Sequence, residues 1–62
     1  MDELIKILVE RDNIDISDAL SIIIAARNEI KDRIADGNMQ NLEEEICRDF
    51  FNLSKEYFFN II

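Results

Sequence analysis

The sequence predicts an all-α protein, a compact bundle of about four short helices in one domain that covers residues 1–62. Three observations predict this class. The chain has no proline and a single glycine, its apolar residues recur at intervals of three and four, and no segment alternates apolar and polar residues as a strand does. A chain of 62 residues has no room for a second core.

The first helix is expected from about Asp2 to Arg11. Leu4, Ile5 and Leu8 share one face of that helix. Asp2 lies in the first turn and Arg11 in the last, where each charge is favoured by the helix dipole. The following Asn13 is typical of a turn.

The second helix is predicted to start after Asp15 and to end at Ala35. Asp15 can cap the first free N–H groups, and Ser17 is a competing cap two residues later. Gly37 provides the left-handed conformation that commonly follows a helix.

The second helix is apolar on more than one face. At about 100° per residue, one broad face forms the predicted core stripe. It consists of Ile16, Ala19, Leu20, Ile23, Ala26, Ile30 and Ile34. Ile22, Ile24 and Ala25 fall outside this face. Either the short helices cover them, or Ile22 and Ala25 lie in the interface of a homodimer, which is the reading that we favour.

Asn38 is predicted to cap a third helix, and Asn52 to stop it in a left-handed conformation. Its apolar stripe is expected to be Met39, Leu42, Ile46 and Phe50. Ser54 then caps a short last helix over residues 55–62.

Two adjacent aromatic pairs follow in the last third of the chain. Neighbouring residues cannot share one helix face, so we expect Phe50 and Phe58 in the core and Phe51 and Phe59 outside it. With Ile62, the two outward rings form a predicted aromatic patch that belongs to an interface.

Arg27 lies between apolar positions on the core side of the second helix. A buried charge needs a partner, which Asp49, Glu10 or the terminal carboxylate of Ile62 can provide. Either a structural ion pair or an arginine that extends to the rim of the core is therefore predicted, and a binding role for Arg27 is the alternative.

Composition excludes several classes of function. Fourteen acidic residues against seven basic ones give a net charge of −7, which disfavours direct binding of nucleic acid and of anionic membranes. The chain has no histidine and one cysteine, Cys47, so it lacks the residues for a Cys/His zinc site or a Ser/His/Asp set. We expect no enzymatic activity, no cofactor and no metal, and a cytoplasmic location for the free thiol.

Two acidic patterns in the sequence bear on the function. Asp32, Gly37 and Glu43 match positions of a calcium loop, but Ile34 stands where a ligand is required. Glu43, Glu44, Glu45 and Asp49 form a predicted solvated acidic patch on the third helix. The alternative is that this patch imitates DNA and enters the basic groove of another protein.

The chain resembles the uncharacterised small acidic helical proteins of phages and mobile elements in Gram-positive bacteria. The resemblance rests on Glu10-Arg11-Asp12, Ile14-Asp15, Ala26-Arg27, Ile30, Gly37 and Asp49-Phe50-Phe51-x-Leu53-x-x-x-Tyr57. Members usually carry glycine where Asn13 and Asn52 stand here, and asparagine tolerates the same left-handed backbone. The resemblance implies a four-helix fold and a phage context.

We therefore expect a non-enzymatic protein–protein interaction module. By analogy with other small acidic phage proteins, it binds and inhibits a host or defence protein with a basic groove. The alternative is a self-associating structural or regulatory homodimer with no foreign target.

Overall fold

Four α-helices follow one another along the computed structural model, which describes residues 3–61. Their bounds are Glu3–Asp12 (α1), Ile16–Ala35 (α2), Leu42–Ile46 (α3) and Phe58–Ile61 (α4). A π-helical turn, Cys47–Phe51, extends α3, and a 3-10 turn, Lys55–Tyr57, leads into α4. Residues 3–61 contain no strand, so the predicted all-α class is confirmed.

The other helices pack against α2, which is 20 residues long. The core contains twelve buried side chains from all four helices and the π-helical turn. They are Leu4, Leu8, Ala19, Ile23, Ala26, Ile30, Leu42, Ile46, Cys47, Phe51, Phe58 and Ile61. Within the described residues, no polar or charged side chain is buried. The core is therefore held together by apolar packing.

The core face of α2 is narrower than the sequence predicts. Ala19, Ile23, Ala26 and Ile30 are buried as expected. Ile16, Leu20 and Ile34 were predicted in the same stripe but are exposed. Because α3 and α4 have only five and four residues, they cover one flank of α2 and leave the other open to solvent.

Four residues in the left-handed conformation reverse the chain between helices. Gly37 has φ +73°, and Asn13, Asn41 and Asn52 have φ between +54° and +58°. The left-handed conformation predicted for Gly37 and Asn52 is confirmed. At the end of α2 the N–H of Gly37 donates to the carbonyl of Ile34, and that of Asn38 to Arg33, so this helix ends in a Schellman motif.

The helix starts agree with the sequence only in part. Asp15 occupies the N-cap position of α2, but its side chain makes none of the predicted capping hydrogen bonds, and Ser17 lies inside the helix. The start predicted at Asp2 lies outside the described residues. Asn38 does not cap α3, because α3 begins four residues later, after the left-handed Asn41.

The side chain of Arg33 explains this late start, since it holds the loop between α2 and α3. Its Nε donates to the carbonyl of Asn38 (3.0 Å), one terminal nitrogen to the carbonyl of Gln40 (3.0 Å), and the other to Glu45 Oε1 (2.9 Å). The loop backbone is bonded to Arg33 instead of continuing the helix. Met39, predicted in the apolar stripe of the third helix, is consequently exposed.

The π-helical turn reverses the roles predicted for two phenylalanines. Phe51 is 1% exposed and lies in the core, whereas Phe50 is half-buried. A π-helix bonds five residues back and so adds one residue to the turn. The extra residue brings Phe51 onto the face of Ile46 that Phe50 would occupy in an α-helix. The prediction that Phe51 points outward is wrong.

The wide turn closes on the left-handed Asn52. The N–H of Asn52 donates to the carbonyl of Arg48, and the N–H of Leu53 to Cys47, six residues back. The chain then enters the 3-10 turn with Ser54 at its N-cap position, and Phe58 and Ile61 of α4 face the core. The single last helix predicted over residues 55–62 is therefore two short segments in the described part.

Candidate functional site

The open flank of α2 carries a continuous apolar stripe with two basic residues. We call it the α2 stripe: Ile16, Leu20, Ile24, Arg27, Lys31 and Ile34. Ile16, Leu20 and Ile24 follow one another at intervals of four, so their side chains lie in one row on the helix. Their exposed fractions are 45%, 42% and 53%, and that of Ile34 is 51%.

The stripe differs in charge from the rest of the molecule. At about 100° per residue, no acidic side chain of α2 falls among its members. Arg27 and Lys31, four residues apart, are both exposed and occupy its C-terminal half. In a chain with net charge −7, an apolar row with only positive charges is a distinct surface. Large exposed apolar patches are typical of interaction sites.

Arg27 lies at the edge of the stripe and not in the core. It is exposed, and its Nε donates to the backbone carbonyl of Ile61 at the end of α4. This carbonyl is one of the last in its helix and has no partner within it. Arg27 has no acidic partner among residues 3–61. The ion pair predicted with Asp49 or Glu10 is therefore wrong, and the carboxylate of Ile62 lies outside the described residues.

The residues predicted at an interface are not brought together as one surface. Ile22 is half-buried against the core, and Phe51 is in the core. Ala25 is exposed, and Phe59 is 73% exposed. Ile62 lies outside the described residues. The short segments cover the flank of α2 that contains Ile22, so the uncovered apolar surface is on the opposite flank, along the α2 stripe.

The predicted acidic patch is partly neutralised. Glu43, Glu44 and Asp49 are exposed. Asp49 accepts a hydrogen bond from Arg48 Nε at 3.1 Å. Glu45 is paired with Arg33, whose side chain is only 11% exposed. The expectation that Glu45 is simply solvated is wrong, because its carboxylate fixes the loop before α3 to the end of α2.

Two shallow clefts lie side by side between α3 and the chain that precedes the 3-10 turn. One has a volume of about 250 Å³ and includes Met39 and Glu43, and the other has about 390 Å³ and includes Arg48 and Leu53. Glu44 and Lys55 line both. Each cleft is open to solvent, and neither contains the thiol of Cys47.

Cys47 is buried in the core. Burial raises the pKa of the Cys47 thiol, and the nearby carboxylate of Glu43 raises it further. A thiol in this setting is a weak nucleophile. Within the described part of the chain, no three Cys, Asp or Glu side chains are placed to hold a metal ion.

The sequence analysis did not identify two residues of this region, Lys31 of the stripe and Arg33, which holds the loop before α3. Lys31 could have been found, since it lies four residues after Arg27 and seven after Ile24 on the same helix face. Arg33 could not, because its partners are distant in sequence and depend on the path of the loop.

Comparison with family models, curated proteins and solved structures finds no match to this chain. Among residues 3–61, no helix has the length and apolar character needed to cross a membrane.

Replacing Glu45 by lysine is expected to destabilise the fold, whereas Glu44→Lys is a matched control on the exposed side of the same helix. Loss of the Arg33 pair leaves a largely covered guanidinium without its acidic partner, which costs about 1–2 kcal/mol in unfolding free energy. Glu44→Lys is expected to change it by less than about 0.5 kcal/mol. Urea unfolding followed by circular dichroism measures both, and equal effects would contradict the role of Glu45.

The stability of the protein is expected to fall at alkaline pH through Cys47. Because the thiol pKa is higher in the folded state than its ordinary value of 9.0, both states are protonated below pH 9 and the thiol's contribution is fully present there. As pH rises above 9, the unfolded thiol ionises first, and the contribution is lost up to the folded pKa. Urea unfolding of Cys47→Ala serves as the control. A wild type with the same alkaline slope as this variant would contradict the prediction.

Proposed function

We propose that this chain is a non-enzymatic protein–protein interaction module that binds through the α2 stripe. The observation that supports it most strongly is the row of Ile16, Leu20 and Ile24, each more than two-fifths exposed. Exposing such a row in water is unfavourable by about 25 cal/mol for each Å² of apolar surface. A partner that covers the row regains this free energy.

The proposal has two forms, which differ in the partner that covers the stripe. In one, the module associates with a second copy as a structural or regulatory homodimer. In the other, it belongs with the small acidic phage proteins that it resembles and binds and inhibits a host or defence protein. Cys47 remains a thiol in the reducing cytoplasm, where we place the module.

The exposed carboxylates of Glu43, Glu44 and Asp49 favour a second route to inhibition. On this route they enter a basic nucleic-acid groove, and attraction between opposite charges speeds association. The support is weaker than for the stripe, since Arg48 already pairs with Asp49 and Arg33 with Glu45. The experiment below separates the two surfaces.

Leu20→Lys places a charge in the middle of the α2 stripe and is expected to weaken binding at least tenfold. Ala25→Lys is the matched control, because Ala25 is exposed on the same helix outside the stripe. The tagged full chain and both variants are compared for self-association by light scattering and for retention of lysate proteins. Circular dichroism checks that each variant is folded. We expect Leu20→Lys to lose whatever the wild type binds and Ala25→Lys to keep it.

Glu43→Lys with Glu44→Lys tests the acidic patch in the same assay. Binding that survives Leu20→Lys, is lost in this double variant and weakens steeply as salt rises from about 0.05 to about 0.5 M would contradict the role of the stripe. That result would support the acidic route instead.

A further inference from the structure

We propose that the occupant of the α2 stripe is a second copy of this chain, with the two α2 helices antiparallel. In this dimer Ile16 of one copy faces Ile34 of the other. The inference rests on the proposed function, and three observations on α2 support it: its length, the order of its charges and the symmetry of its stripe.

The length of α2 allows a dimer to cover one whole face of the molecule. Twenty residues of α-helix span about 30 Å, and the molecule measures 34 × 19 × 17 Å. The stripe starts at the first residue of α2 and reaches its last turn, so it follows the long axis. A whole face of 34 × 19 Å sets an upper bound of about 650 Å² in each copy, or about 1,300 Å² in both. A dimer that covers this face reaches the lower end of the range of specific interfaces, roughly 1,200–2,000 Å².

The charges along α2 favour the antiparallel arrangement. Arg27 and Lys31 occupy the C-terminal half of the stripe, and its N-terminal half contains no charge. A parallel pair would place Arg27 and Lys31 against their own copies, which repels. An antiparallel pair places them over the partner's N-terminal half, and it opposes the two helix dipoles favourably.

The basic side chains are suited to this position. Lysine and arginine can lay their methylene stems on an apolar surface while the charged ends reach polar groups beside it. In the antiparallel pair the stem of Lys31 lies near Leu20 of the partner subunit. Its ammonium group then extends past the apolar row into solvent.

The stripe is complementary to itself under a two-fold rotation. The position midway between Ile16 and Ile34 is residue 25, so the rotation axis crosses the stripe at this level, beside Ile24, while the side chain of Ala25 lies on the other side of the helix. Ile24 then meets its own copy, and the exposed isoleucines at the two ends meet each other. An interface of this kind uses the same patch on both subunits, as two-fold dimers do.

Disulfide cross-linking between single cysteines tests both the occupant and the direction. Cys47→Ala removes the native thiol. In that background Ile16→Cys, Ile24→Cys and Ile34→Cys place one thiol on the stripe. Glu29→Cys is the matched control, because Glu29 is exposed on the opposite side of α2. Full-length proteins are oxidised alone or as a mixture of the 16 and 34 variants, and circular dichroism confirms that each is folded.

The antiparallel dimer predicts that Ile24→Cys links to itself and that the 16 and 34 variants link to each other in the mixture. Each of these yields should exceed that of Glu29→Cys at least tenfold. Sedimentation of the unmodified wild type should give twice the chain mass of 7.3 kDa at micromolar concentration, which does not depend on any variant.

Two results would overturn the inference. Ile16→Cys linking to itself as efficiently as in the mixture would show a parallel pair. A wild type with the mass of one chain at every concentration would show that no second copy binds. If such a monomer still captured a lysate protein that Leu20→Lys loses, self-association would fail while the proposed binding through the stripe stood. If the wild type and Leu20→Lys captured the same lysate protein equally well, both self-association and binding through the stripe would be refuted.

Discussion

The structure depends on one constraint: α2 presents more apolar surface than the other elements of residues 3–61 cover. Its inner face, with Ala19, Ile23, Ala26 and Ile30, is buried by the other helices. The covering elements other than α1 are five residues long or shorter. They close over the flank that contains Ile22 and leave the opposite one in water. The exposed apolar surface is thus a consequence of how short the described elements that pack on the longest helix are.

The short connections place the covering elements where this packing requires them. Left-handed residues end α2 and the π-helical turn, and Arg33 bonds the intervening loop to α2 on one side and to Glu45 on the other. Arg27 has a similar role at the far end of the chain, because it bonds the last described carbonyl of α4. Two arginines on α2 therefore tie the C-terminal half of an acidic chain to the helix on which it packs.

Part of the fold could be predicted from local chemistry. Asp15 before α2, Gly37 after it and Asn52 after the third helix were all found from residue type and spacing, since caps and left-handed turns depend on near neighbours. Phe51 and Met39 were misplaced, because the π-helical turn and the loop bound by Arg33 change which residues face the core. The interface was predicted around Ile22 and Ala25, whereas the exposed apolar row lies on another flank of α2, at Ile16, Leu20 and Ile24. Periodicity shows that a helix is apolar nearly all round, but the other helices decide which flank stays open.

We propose that the open flank of α2 is covered in solution by a second copy of the chain. A dilution series of backbone amide NMR spectra tests this claim residue by residue on the unmodified protein. We expect concentration-dependent shifts to concentrate at the stripe, at Ile16, Leu20, Ile24 and Ile34, and to be small at Ala25 and Glu29. Spectra that do not change with concentration, or changes confined to Glu43, Glu44 and Asp49, would contradict it.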